Sequence, residues 1–149
     1  MSDPNVSALV LKAKYDSDED VRLSAGLELV RLVTERGEYV VLINISKDEG
    51  MHSSVRDTAK ENILRVASIL CTSEDLEPLH QVASENGIGI IQLHAGFLLI
   101  DAYSSPVSEE GLRRLLFDDA YLDEVRCSAG RHLLLITLFL LCHLSFMSL

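Results

Sequence analysis

The chain has 149 residues, enough for one domain with a sizeable core, and 48% of them are hydrophobic, which excludes a disordered chain. Only 5% are aromatic and Trp is absent, so the apolar residues are mostly aliphatic, as in packed helices. The formal net charge of −10 comes from 13 basic and 23 acidic residues without a Lys/Arg cluster, which argues against direct nucleic-acid binding. Two interpretations of the charge stay open: it keeps the surface soluble, or it attracts a basic protein or peptide as partner.

Cysteine usage bears on the compartment. Cys71, Cys127 and Cys142 have neither paired nor metal-type spacing, which predicts reduced thiols in a cytoplasmic or nuclear protein. The first residues, Met-Ser-Asp-Pro-Asn, lack the basic and apolar regions of a secretory signal.

Internal self-similarity is the strongest signal in the sequence. Four segments align, at 21–26, 55–60, 91–96 and 125–130, with spacings of 34, 36 and 34 residues. Apolar residues within each unit recur every three or four positions, which is the pattern of one face of an α-helix. The sequence therefore predicts a single domain, 1–149, built from four two-helix repeats at about 5–36, 38–71, 74–104 and 108–144.

The first helix of each repeat is predicted near 6–14, 38–46, 74–86 and 108–121. The second of these contains the β-branched run 39–45, for which a helix is favoured because a lone strand would have no partner. Hydroxyl residues followed by acids predict N-caps at Thr72 or Ser73 and at Ser108. Ser54 with Asp57 has the spacing of a capping box for the later helix of the second repeat.

Small residues recur at one register of the second helices. Ala25 and Gly26 open this pattern, and the same register holds Ala59, Ala95, Gly96, Ala129 and Gly130. A glycine inside a helix costs about 1 kcal/mol relative to alanine. Its recurrence predicts that a neighbouring helix approaches closely at this register.

Two motifs resemble the second helix of a HEAT repeat: Asp20-Val-Arg22 followed by Ala25, Leu29 and Leu32, and Asp123-Glu-Val-Arg126 followed by Ala129. The resemblance to the HEAT and armadillo repeat families covers nearly the whole chain. The resemblance implies an all-α fold, an α-solenoid of about four two-helix repeats. In these families an acidic turn residue and a helical Arg join neighbouring repeats, a role that would fall here to Asp20 with Arg22 and to Asp123 with Arg126. Arg56 matches only the Arg, and the third unit departs further with Gln92.

The resemblance also implies a binding surface, because the second helices of such solenoids line a concave face. The polar residues predicted to form it are Ser24, Glu28, Arg31, Thr58, Asn62, Arg65, His94 and Asp101. The predicted function is a protein-interaction module, a scaffold or adaptor that binds a protein or peptide. The alternative is that these residues form an ordinary solvated helix face.

Enzyme chemistry and cofactors have no positive support in the sequence. The five histidines show no metal-ligand spacing, and neither a phosphate loop nor a nucleophile elbow occurs. Glu77 and His80 have the spacing found in di-iron helices, but only one copy is present where two are needed. They are therefore expected to be a surface pair, and the protein is not expected to be an enzyme.

The last 17 residues, 133–149, contain no Asp, Glu, Lys or Arg. Three explanations remain open for this apolar tail: a membrane anchor that begins after Arg126 and Arg131, a repeat array truncated at this point, or a face that meets a partner or a second copy. An anchor would make the protein membrane-associated, with His143 as an unfavourable residue in the span.

Overall fold

The chain is all-helical. A computed structural model describes residues 3–147. The predicted domain 1–149 and the apolar tail 133–149 therefore each extend beyond the described residues, by residues 1–2 and 148–149 for the domain and by 148–149 for the tail. The described part contains eight helices and, apart from an isolated bridge between Ser104 and Val107, no β-structure. The helices are α1 Pro4–Tyr15, α2 Glu19–Glu35, α3 Tyr39–Lys47, α4 Ser53–Leu70, α5 Glu77–Ser84, α6 Ile90–Ser104, α7 Glu109–Phe117 and α8 Asp123–Met147.

The β-branched run 39–45 is helical, as predicted, because it lies in α3 and its apolar side chains are needed in a helical core. Leu42, Ile43 and Ile45 are buried there. Burial of this helical face overrides the strand propensity of the run.

The predicted helix starts were right in one case and wrong in two. The hydroxyl of Ser108 caps α7 by accepting from the amide of Gly111, as predicted. The capping box was wrong, since α4 begins at Ser53 and its cap is His52, whose Nδ1 accepts from the amide of Ser54 at 3.2 Å. The cap at Thr72 or Ser73 was also wrong, because α5 begins only at Glu77, where Pro78 in the first turn fits a helix start.

The chain divides between Thr72 and Ser73 into two compact units. Unit 1 holds α1 to α4 and unit 2 holds α5 to α8. In unit 1 the hairpin of α1 and α2 packs on the hairpin of α3 and α4, mainly through α2 and α4. Unit 2 repeats this arrangement with α6 against α8.

The two units bury equivalent residues that are 70 positions apart in the sequence. Such pairs are Ala13 and Ala83, Leu29 and Leu99, Val30 and Ile100, Leu42 and Leu112, Met51 and Tyr121, and Val55 and Val125. Each pair is buried to a similar degree, so both units have the same kind of aliphatic core. The 34-residue and 36-residue spacings of the sequence thus correspond in the structure to alternating hairpins of a repeated four-helix unit.

The recurring register of Gly26 and Gly96 is explained by one contact that occurs in each unit. A Cβ placed on Gly26 would lie 2.5 Å from Cγ2 of Val55, and a Cβ on Gly96 would overlap Val125 in the same way. The glycines therefore let α2 and α4, and likewise α6 and α8, approach closely, as predicted. Gly130 differs, since its nearest neighbour is the side chain of Leu116.

Candidate interaction surfaces

A shallow groove lies between α1 and α2 on the surface of unit 1. Two adjoining depressions of about 410 and 370 Å³ form it, and both contain Leu9, Lys12 and Glu28. We call this surface the α1–α2 groove; its remaining lining residues are Asn5, Ala8, Asp20, Val21, Ser24, Ala25 and Leu32. The groove combines an apolar floor with two carboxylates and one ammonium group.

Two of the predicted binding residues of α2, Ser24 and Glu28, line this groove. Both are two positions from Gly26, which places them about 200° around the helix from the contact with α4. Sequence reasoning missed the contribution of α1, because Leu9 and Lys12 lie outside the repeated second helices. The apolar run 8–11 of α1 is continuous and does not by itself indicate which of its side chains face α2.

Arg31 and Glu28 form a local ion cluster with Glu35. Arg31 donates to both carboxylate oxygens of Glu28, at 2.9 and 2.7 Å, and to Glu35 at 2.5 Å. These hydrogen bonds lower the pKa of Glu28 and raise that of Arg31. The cluster fixes a negatively charged rim beside the groove, with two carboxylates around one guanidinium.

The predicted residues of α4 are linked to one another along the helix. Thr58 donates its hydroxyl to the carbonyl of Ser54, Asn62 donates to the carbonyl of Thr58 at 2.8 Å, and Arg65 donates to the side-chain oxygen of Asn62 at 2.6 Å. The amide of Asn62 therefore already has partners for its nitrogen and its oxygen. An amide oxygen accepts two hydrogen bonds and an amide nitrogen donates two, so each of these Asn62 atoms keeps the capacity for one further hydrogen bond to a peptide.

His94 and Asp101 belong to α6 of unit 2, where both are exposed. The structure thus places the eight predicted binding residues in two units. Their role in a shared surface stays a prediction.

The two arginines Arg22 and Arg126, which were predicted to join neighbouring repeats, make contacts inside their own hairpins. Arg22 donates to the carbonyl of Asp16 at 2.7 Å, and Arg126 donates to the carbonyl of Leu116 at 3.1 Å. Arg126 also pairs with Asp123 in its own helix and with Asp119. These arginines hold the last turn of the first helix against the second helix.

Asp20 and Arg56, the other two residues considered for joining repeats besides Asp123, differ from these arginines. Asp20 is exposed and its amide donates to Asp18 at the start of α2, and the Nε atom of Arg56 is buried without a hydrogen-bond partner. The role of all five residues in joining neighbouring repeats stays a prediction.

Unit 2 contains a buried polar cluster that sequence reasoning missed. His80 is 2% exposed, its Nδ1 lies 2.6 Å from the hydroxyl of Tyr121, and its Nε2 lies 2.5 Å from the hydroxyl of Tyr103. Burial lowers the pKa of His80 to about 4, with a further contribution from the nearby Arg114. The expected surface pair is therefore wrong, since Glu77 pairs instead with Arg114 at 3.2 Å.

This cluster is a local replacement within the repeated core. The positions 70 residues earlier in unit 1 hold Val10, Val33 and Met51 in place of His80, Tyr103 and Tyr121. A neutral imidazole accepts one hydrogen bond and donates one, so two hydroxyls satisfy it. Both ring nitrogens are occupied by structural partners, and among residues 3–147 no group of three or more potential metal ligands comes together.

The later part of α8 is an exposed apolar surface. One helix among the described residues, Asp123–Met147, is long and apolar enough to cross a membrane by length and composition. Its most apolar 18-residue window has a mean hydropathy of 1.6, and none of that window is buried. The side chains of Leu135, Ile136, Phe139 and Leu140 form a depression of about 490 Å³ with Val107 and Glu109, and a second of about 430 Å³ lies near Phe146.

Comparisons of the chain with known protein families, with curated proteins and with solved structures found no match. The resemblance to HEAT and armadillo repeats stays an expectation drawn from the sequence.

Proposed function

We propose that the chain is a HEAT/armadillo-type interaction module, a solenoid of four helical hairpins that acts as a scaffold or adaptor by binding a protein segment. The repeated hairpins and the glycine-mediated packing of second helices within each unit support this assignment. A crystal structure of the chain in which the four hairpins do not stack in order would overturn the solenoid part of the proposal.

The α1–α2 groove is the observation that supports the binding function best. Its floor offers Leu9 and Val21 to apolar side chains, while Asp20 and Glu28 offer carboxylates at its edge. A segment with alternating apolar and basic side chains complements this arrangement, and the net charge of −10 would assist its approach. The partner class is therefore a basic, partly apolar peptide segment.

Charge reversal in the groove tests this assignment. Peptides selected from a random display library by the intact chain would be measured by fluorescence anisotropy against the parent and against Glu28→Lys. The proposal expects basic, partly apolar sequences and at least a tenfold loss of affinity in Glu28→Lys. Glu49→Lys is the matched control, since Glu49 is an exposed loop residue outside the groove and should leave affinity within about twofold.

Two results would contradict the proposal. If selection returned no binding sequences, the interaction function would be wrong. If the selected peptides bound Glu28→Lys as well as they bound Glu49→Lys, the groove would be the wrong site, and Asn62→Ala and Arg65→Ala would then test the polar residues of α4.

A further inference from the structure

The later part of α8, residues 133–147, is exposed in a way that an ordinary helix of this fold is not. This segment, which we call the α8 extension, has no charged side chain. Every described residue from 137 to 147 is exposed, including Phe139 at 67% and Phe146 at 83%. A helix in the core of a soluble protein can be as long and as apolar as α8, but it would be mostly buried.

The exposure extends around the whole circumference of the helix. Successive residues of an α-helix are 100° apart, so Leu138, Phe139 and Leu140 point in three different directions. They are 50%, 67% and 52% exposed. A groove in a partner protein or one further hairpin would cover a stripe on one side. The hydrocarbon of a lipid bilayer surrounds a helix and covers all three directions.

Comparison with α4 shows that the apolar surface is more extensive on α8, because α4 ends at Leu70 and exposes Ile69 and Leu70 at the positions equivalent to Phe139 and Leu140. The two helices occupy equivalent places in their units, and Val55 and Val125 make the same contact in each. Seventy positions before Leu135 and Leu138, α4 carries Arg65 and Ser68. The repeat architecture therefore does not require leucine at these exposed positions.

The polar side chains of the α8 extension are mostly satisfied within the helix. Thr137 donates to the carbonyl of Leu133 and Ser145 donates to the carbonyl of Leu141, both at 2.9 Å. His143 packs edge-on against Phe139, with ring centroids 5.9 Å apart. Hydroxyls bonded to the preceding turn are the arrangement that a helix needs where water is absent.

Length and charge define the kind of bilayer contact. Fifteen residues at a rise of about 1.5 Å per residue cover about 22 Å, more than one leaflet of a hydrocarbon core about 30 Å thick. Arg131 is exposed two positions before the segment and is suited to the headgroup level. Residues 73–149 contain 11 acidic and only 4 basic residues, so an anionic surface would repel this unit.

We propose that the α8 extension inserts into the hydrocarbon layer of a zwitterionic lipid bilayer and holds the helical hairpins at the membrane surface. This inference rests on α8 alone and does not depend on peptide binding by the α1–α2 groove.

Flotation with vesicles tests the proposal. The full chain would be synthesised in a cell-free system with phosphatidylcholine vesicles, and its partition coefficient would be compared with those of Leu138→Asp, Phe139→Asp and Leu140→Asp. Each substitution should lower partitioning roughly a hundredfold, since aspartate is strongly disfavoured inside a bilayer. Phe117→Asp is the matched control, because Phe117 is 70% exposed in the same unit but outside α8, and it should change partitioning less than about threefold.

The losses of partitioning in the three variants, compared with one another, distinguish a lipid environment from contact with a protein or with a second copy. Equal losses support a lipid environment on all sides. Failure of the parent chain to float would overturn the proposal. A loss in only one of the three variants would also overturn it, because it would indicate a one-sided contact with a protein or with a second copy, which size-exclusion chromatography would then distinguish.

Fluorescence quenching gives a second test that needs no change of the apolar residues. Cys142 lies in the α8 extension, and Cys127 lies in the same helix before it; both are exposed. With the other two cysteines replaced by serine, an environment-sensitive dye at Cys142 should be quenched by lipids brominated in their acyl chains, and the same dye at Cys127 should not. Equal quenching at both sites, or at neither, would contradict insertion.

Discussion

Replacing Gly26 by alanine tests the contact on which the packing of unit 1 depends. The new Cβ would lie 2.5 and 2.9 Å from the two γ-methyl carbons of Val55 and 3.3 Å from its Cβ. Val55 is fully buried, and its β-branched side chain has one strongly preferred rotamer in a helix, so it cannot turn away freely. The two helices must move apart, or the side chain must leave its rotamer.

Two opposing effects set the size of the change. Alanine is favoured over glycine inside a helix by about 1 kcal/mol. Overpacking of a well-packed core costs about 1 to 3 kcal/mol. We expect Gly26→Ala to lower the free energy of unfolding by about 1 kcal/mol.

The effect of Gly26→Ala on stability should change from destabilising to stabilising when Val55 is replaced by alanine. Val55→Ala removes both close methyl groups and by itself should cost about 2 kcal/mol in lost burial and cavity formation. In that background Gly26→Ala should stabilise the protein by about 1 kcal/mol, because only the helix-propensity gain remains. The coupling between the two sites is then about 2 kcal/mol.

Urea denaturation followed by far-ultraviolet circular dichroism measures these free energies. Gly130→Ala is the matched control, since the nearest atom to its new Cβ is a terminal methyl of Leu116 at 3.3 Å, and we expect a gain of up to about 1 kcal/mol. The reasoning is refuted if Gly26→Ala stabilises the protein as much as Gly130→Ala does, or if the coupling with Val55→Ala is below about 0.5 kcal/mol.

Two further predictions concern unit 2. The pKa of His80 is about 4 in the folded state against 6.5 for an ordinary histidine. As the pH falls below 6.5, the unfolded chain therefore takes up a proton on His80 that the folded chain does not, and the stability contributed by the neutral, buried His80 is complete only above pH 6.5. The free energy of unfolding should therefore fall by up to about 3 kcal/mol between pH 6.5 and 4. Replacing His80, Tyr103 and Tyr121 by Val, Val and Met, as in unit 1, should abolish this loss. If urea titrations gave the same dependence of the unfolding free energy on pH for the triple variant, the role of the cluster would be contradicted. Ser108→Ala should cost about 1 kcal/mol through loss of the α7 cap, whereas Ser105→Ala in the preceding loop should cost less than about 0.5 kcal/mol, and equal costs would show that the cap contributes nothing.

Much of the fold could be predicted from the sequence because it depends on local periodicity. The three-to-four-residue spacing of apolar side chains fixed the type of element, including the β-branched α3, and the recurring Gly26 and Gly96 indicated close helix packing. Helix starts were predicted less well. Several residues near a start can act as caps, and at α4 it is His52 that does so.

The candidate site was predicted only in part, because its two walls come from different helices. Ser24 and Glu28 were found from the polar stripe of α2, but the opposite wall, with Leu9 and Lys12, follows from how α1 packs on α2. Only the structure shows that the amide of Asn62 bonds to the Thr58 carbonyl and to Arg65.

The sequence alone determined that this protein is built of repeated amphipathic helices, since helix formation and the burial of one face depend on residues three and four positions apart. It also showed that 133–149 is apolar. Only the tertiary structure decided which side chains are covered. His80 is enclosed because Tyr103 and Tyr121 reach it from distant positions, whereas Phe139, which borders an open depression with Val107 and Glu109, stays 67% exposed. Burial depends on contacts between residues far apart in the chain, and these are not encoded in any local pattern.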